Sequence, residues 1–99
     1  MDDPAVGVNG FEFDAFNRAH LLKRGVDEAT VHAIWYDEPV IIANRAGKTG
    51  THLMIGEDLD GLLWTIVLVP TDRVAGIWRP ITGFPTERED EVEAWRQGS

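Results

Sequence analysis

Cysteine is absent from the 99 residues, which excludes disulfides and thiolate metal ligands outright. Serine is nearly absent too. Ser99, the terminal residue, is the only one, so neither a serine nor a cysteine nucleophile can be assembled. No apolar run approaches the roughly 18 residues that a membrane span requires. The opening Met1-Asp2-Asp3-Pro4 is acidic where a secretion signal would be basic. These lacks predict a soluble, cytoplasmic protein with no membrane partner. Basic residues are scarce, nine against 17 acidic ones, for a formal charge of −8. Phosphate binding is driven by lysine and arginine, so this balance argues against a general nucleic-acid binder. Between Glu87 and Glu93 lie five acids and only Arg88 as a base, a local sum of −4. Charge alone favours a basic protein partner.

What is present suits one domain with a single core, since 43% of residues are hydrophobic and 26% charged. The stretch Leu62 to Val69 is apolar at every position but Thr65, which predicts a central strand covered on both faces. It returns through Pro70-Thr71-Asp72-Arg73 into a strand over Val74–Thr82. There one parity reads Ala75, Ile77, Arg79, Ile81, and an arginine between two isoleucines is the least expected residue of the chain. Pro80 cannot donate to a ladder and predicts a sheet edge or a departure from it.

Earlier in the chain, residues 1–10 lack periodicity and predict a flexible tail ahead of one domain over 11–97. Phe11-Glu12-Phe13 alternates and could form a short strand. Asp14 predicts an N-cap for a helix running to about Arg24, with Gly25 at its C′ position. Its stripe of Asn17, His20 and Arg24 is polar. Asp27 caps a second helix to about Tyr36, and Pro39 prevents its continuation. Period-two segments follow at Val40–Ala43 and Thr51–Ile55, joined by a glycine-rich turn over Arg45–Gly50. Thr86-Glu87-Arg88-Glu89 has the capping-box pattern and opens a C-terminal helix with little apolar surface beyond Val92 and Trp95. The expected fold is α+β: two N-terminal helices on one face of a four-stranded antiparallel meander, then a C-terminal helix.

Gly47-Lys48-Thr49 resembles the end of a phosphate-binding loop, but the earlier glycine is Ile42 and no helix follows, so a hairpin turn is expected. Glu57-Asp58-Leu59-Asp60-Gly61 resembles a calcium loop without its flanking helices or bidentate glutamate, and is read as a turn. His20, His32 and His52 lack metal-ligand spacing, and no metal or other cofactor is expected. A histidine is the side chain whose ordinary titration suits a general base near neutral pH, and His20 has the better surroundings. Arginine stays protonated, so Arg79 would clamp phosphate or stabilise developing negative charge. The alternative for Arg79 is an ion pair with a carboxylate from a helix.

Phe11-Glu12-Phe13-Asp14, Asn17-Arg18-Ala19-His20 and Lys23-Arg24-Gly25-Val26 resemble the opening of the BrnT family. Met54-Ile55-Gly56, Gly61-Leu62-Leu63, Arg79-Pro80-Ile81-Thr82-Gly83 and Glu87-Arg88-Glu89 resemble that family's later landmarks in the same order, so the similarity spans roughly Phe11 to Glu89. The family comprises small ribonuclease toxins of bacterial type II toxin–antitoxin systems. The resemblance implies a RelE-like fold and metal-independent RNA cleavage by attack of the 2′-hydroxyl on the adjacent phosphate. It also implies a small ribbon-helix-helix antitoxin as partner, and leaves a homodimer open. In this sequence Arg79 matches the arginine that opens the family's Arg-x-Ile-Thr strand, and Lys23 the basic position before its usual His-Gly. The roles that follow are Arg79 and His20 as catalytic residues, with Lys23, Arg24 and Asn17 contacting substrate. Two departures stand out: Arg24-Gly25 replaces His-Gly, and Phe84 stands where many relatives place a second arginine. They raise a second expectation, a non-catalytic interaction module of the same descent, with Trp78 and Phe84 on an exposed apolar patch.

Overall fold

Trp64 to Leu68 are all buried, which places their strand at the middle of the sheet as its apolar run requires. The structure, a computed structural model, describes residues 8–48, 50–71 and 75–98. Their order is β1 (Gly10–Phe11), α1 (Ala15–Leu22), α2 (Glu28–Tyr36), β2 (Val40–Ala43), β3 (His52–Glu57), β4 (Leu63–Pro70), β5 (Ile77–Pro85) and α3 (Glu89–Gly98). The architecture is α+β. The expected sheet of four antiparallel strands is corrected to a mixed sheet of five, ordered β1-β5-β4-β3-β2. Strands β2 to β5 form the antiparallel meander. The fifth strand is β1, which pairs parallel with β5 through Gly10 opposite Ile77 and Phe11 opposite Trp78.

The tail expected over residues 1–10 is corrected at residues 8–10, which are part of the fold. Val8 is buried, the Asn9 N–H donates to Gly76 O at 2.7 Å, and Gly10 opens β1; residues 1–7 lie outside the described residues. The turn residues Thr49, Asp72 and Arg73, with Val74, lie outside them as well. The last strand starts at Ile77 and runs on to Pro85, three residues past the expected end. Its period is broken by a bulge: Leu68 opposes Pro80 while Val67 opposes Thr82, leaving Ile81 as the extra residue. Pro80 is therefore tolerated beside a bulge, beyond Trp78 where the pairing with β1 ends.

Local signals set both N-terminal helices. The Asp14 carboxylate accepts the Asn17 N–H at 2.9 Å, and Asn17 Oδ1 accepts the Asp14 N–H at 2.8 Å, a reciprocal cap. At the other end Gly25 has φ 82°, and the Val26 N–H reaches Leu21 O at 3.0 Å, the 6→1 closure of a Schellman motif. Asp27 caps α2 by accepting the Thr30 N–H at 2.8 Å. Leu21, Val31 and Ile34 face Met54, Trp64, Ile66, Leu68 and Trp78 in the main core.

The opposite sheet face carries a second cluster: Leu53, Ile55 and Val67 with Ile42, Ile81, Phe84 and Trp95 of α3. Alternation along β3 and β4 sends neighbouring residues to opposite faces. As expected, α1 and α2 share one face; α3, whose place the sequence left open, covers the far one. Nor does Thr86 cap it. Its N–H donates to Leu63 O at 2.9 Å and its hydroxyl meets Thr65 Oγ1 at 2.8 Å, so the sheet holds Thr86 and α3 starts at Glu89.

Candidate functional site

Strand β5 carries Arg79 to the point where the chain leaves β1 and enters α1. Arg79 Nη1 donates to Glu12 Oε1 and Nη2 to Asp14 Oδ2, each at 2.9 Å. Glu12 and then Asp14 raise the guanidinium further above its ordinary value. The Asn17 N–H, and after it Arg79, hold the Asp14 carboxyl below the carboxylate range. Arg79 therefore ties the N-cap of α1 to the sheet. Two carboxylates on one guanidinium leave that spot net negative, an environment that repels a phosphate unless the pairs open.

His20 is exposed and opens onto a cleft of about 270 Å³ between α1 and β5, lined also by Phe16, Asn17, Ile81 and Thr82. Asn17 is buried, and its side chain is engaged by the cap and by a 3.0 Å bond from Nδ2 to Glu12 O. Asn17 and His20 are thus brought together. Arg79 is one step away, joined to Asn17 through Asp14 rather than directly, and it does not line the cleft. Lys23 and Arg24 do not line the cleft. They are exposed past the end of α1, about 10 Å along the axis from Asn17 at 1.5 Å per residue. Among the described residues the side chains of His20, Lys23 and Arg24 make no ion pair.

The apolar patch expected at Trp78 and Phe84 is corrected. Trp78 is buried against the main core, with its ring edge-on to His52 at 4.9 Å, and Phe84 is half-buried in the second cluster. Burial is also what lowers the pKa of His52. The exposed aromatic at the cleft is Phe16, 86% accessible.

Sequence reasoning missed the polar group on the far face. Glu91 is fully buried and accepts from Arg45 Nη2 at 2.9 Å and from Thr65 Oγ1 at 2.9 Å. Arg45 also pairs with Asp90 at 2.9 Å, and Arg88 Nε lies 3.2 Å from Asp90. A recess of about 290 Å³ beside them is lined by Arg45, Lys48, Phe84, Arg88 and Glu91 among others. The signal was Thr65, the one polar residue in an otherwise apolar central strand. A buried hydroxyl needs a partner, and only tertiary structure names it.

At the β3–β4 turn the Asp58 carboxylate is occupied by N–H donors from Asp60, Leu62 and Trp64, so the loop is a turn braced from within. Among the described residues, no group of three or more histidine, aspartate or glutamate side chains is placed to hold a metal ion. No family model matches the chain, and no curated protein is significantly similar to it in sequence.

Proposed function

We propose that this chain is a BrnT-like toxin of a type II toxin–antitoxin pair, built on a RelE-like scaffold and acting as a metal-independent endoribonuclease. The observation that carries the reading is the α1–β5 cleft, where His20 and Asn17 meet Thr82 from more than sixty residues away along the chain, with Arg79 next to them through Asp14. In the reaction, His20 takes the proton from the ribose 2′-hydroxyl as that oxygen bonds to phosphorus. The bond to the 5′-oxygen breaks, the leaving oxygen takes a proton from water, and a 2′,3′-cyclic phosphate and a free 5′-hydroxyl result. Arg79 supplies the positive charge for the phosphorane once phosphate displaces Glu12 or Asp14. Asp14, 47% accessible, is the more open of the two carboxylates and the one that phosphate displaces first, since Arg79 and Glu12 are only 25% and 26% accessible. Lys23 and Arg24 meet neighbouring phosphates at the end of α1. A ribbon-helix-helix antitoxin is the partner that would cover the cleft in a cytoplasmic complex.

One observation favours a second reading, a non-catalytic interaction module of the same descent: the guanidinium of Arg79 is already held by two carboxylates in a chain of net charge −8. The two separate cleanly. Purified protein is incubated with end-labelled single-stranded RNA, and the products are tested for cyclic-phosphate ends. The ribonuclease reading expects cleavage, and a loss of about 10²-fold or more for both His20→Ala and Arg79→Ala with unchanged circular dichroism. Intact RNA with wild type, and unimpaired growth on induced expression, would leave the interaction module.

A further inference from the structure

Charge is distributed unevenly along this chain, and the fold gathers part of the excess at one end. Segments 25–44 and 49–72 each hold four acidic residues and no lysine or arginine, which accounts for the entire net charge of −8; elsewhere nine acids face nine bases. Pairing of Val40 with Ile55 brings Glu38 and Glu57 to the same end of the β2–β3 ladder, and a Cβ on Gly56 would stand 3.1 Å from Pro39. The β3–β4 turn sets Asp58 and Leu59 against the end of α2 there, and Asp37 faces them across a groove of about 600 Å³. Among the described residues Asp37, Glu38, Glu57 and Asp60 have no cationic partner.

The groove itself is apolar. Ala29, His32, Ala33 and Tyr36 line it at helical spacing from α2, with Leu59 opposite. Leu59 is 92% and Tyr36 76% accessible, among the most exposed large apolar side chains of the described residues. Two alanines on one helix face let another backbone approach closely, and two projecting apolar side chains flank the space above them.

We propose that this groove is a docking surface for a basic amphipathic helix of a partner protein. The helix lays its apolar stripe over Ala29 and Ala33 between Tyr36 and Leu59, and its lysines and arginines meet the acidic rim. The charge selects this occupant. A second copy of the chain would set like acids against each other, and nucleic acid or an anionic membrane would be repelled. The proposal does not depend on ribonuclease activity, since no residue of the groove lines the His20 cleft.

The test uses the full chain and a fluorescein-labelled helical peptide patterned from lysine and leucine, with a glutamate–leucine peptide as its counterpart, read by anisotropy. Wild type should bind the lysine peptide in preference, more weakly as salt rises. Tyr36→Ser with Leu59→Ser should weaken binding about tenfold or more. Asp37→Asn with Asp60→Asn should weaken it and flatten the salt dependence. Phe16→Ser, at the other cleft, should bind as wild type does. All these positions are exposed, so a cooperative thermal transition with a Tm no lower than that of wild type confirms that each variant folds. The proposal is overturned if wild type does not bind, if both peptides bind alike, if Tyr36→Ser with Leu59→Ser has no effect, or if Phe16→Ser loses as much.

Discussion

Asp58 Oδ1 accepts the N–H groups of Asp60 and Leu62 at 2.8 and 2.9 Å, and Oδ2 accepts the indole N–H of Trp64 at 2.8 Å. Trp64 is buried in the main core, so removing the carboxylate leaves its donor without a partner. Asp58→Ala should cost about 2 kcal/mol, the usual range for a hydrogen bond to a charged group with one end buried, read as a lower urea midpoint at unchanged slope. The indole bond first, then the turn amides, hold the Asp58 carboxyl below its ordinary 3.8. A depressed carboxyl stabilises the fold fully above its unfolded pKa, and the contribution is lost as pH falls through the lower folded value. Below about pH 4 the Tm of wild type should therefore drop more steeply than that of Asp58→Ala. The same logic covers Arg79. Its oddity was visible in the sequence, and so was the alternative of a carboxylate from a helix. The sequence could not say that Asp14 would be that carboxylate, because the contact depends on β1 docking beside β5.

Among the elements, α1 and α2 were readable because their caps are local. Asp14 and Asn17, Gly25, Asp27 and Thr30 all act within a few residues of one another. The C-terminal helix was not, because competition from the sheet decided its start: Thr86 has the right spacing to Glu89 but is held by Leu63 and Thr65 instead. Its docking was equally hidden. Weak packing is what Val92 and Trp95 alone would allow, yet Glu91 inserts a buried carboxylate between Arg45 and Thr65. Glu91→Ala should cost about 2–3 kcal/mol, short of the loss from breaking a fully buried pair because Arg45 can turn to solvent. Glu91→Gln, able to keep the Thr65 bond, should cost less. Hydrogen exchange resolved along α3 checks this: amides of α3 should lose protection in Glu91→Ala while those of β4 keep theirs. If α3 and β4 are affected equally, the helix is part of the global unit rather than a pinned layer.

At the scale of the whole molecule, several acids unpaired among the described residues gather at one end: Asp37, Glu38, Glu57 and Asp60. Unpaired acids around α2 and the β3–β4 turn repel one another, and salt of about 0.15 M shortens the screening length to about 8 Å. Raising salt from about 0.01 M should therefore raise the Tm by roughly 4 °C, near the shift that 1 kcal/mol brings in a chain of this size. Asp37→Asn with Asp60→Asn should reduce that rise, and a Tm that falls with salt would show that the ion pairs of Arg79 and Arg45 outweigh the repulsion. By itself the sequence determined what depends on near neighbours and on period: the caps, the glycine stop at Gly25, the apolar run of β4, and the α+β class. Tertiary structure decided what depends on distant partners. It added β1 to β5 across about 67 residues, put α3 on the far face, broke the β5 alternation at Ile81, and brought acids of two segments, Asp37 and Glu38 with Glu57 and Asp58, into one rim. Local spacing carries no information about such pairs, because closing a long loop is repaid only by contacts the finished fold supplies.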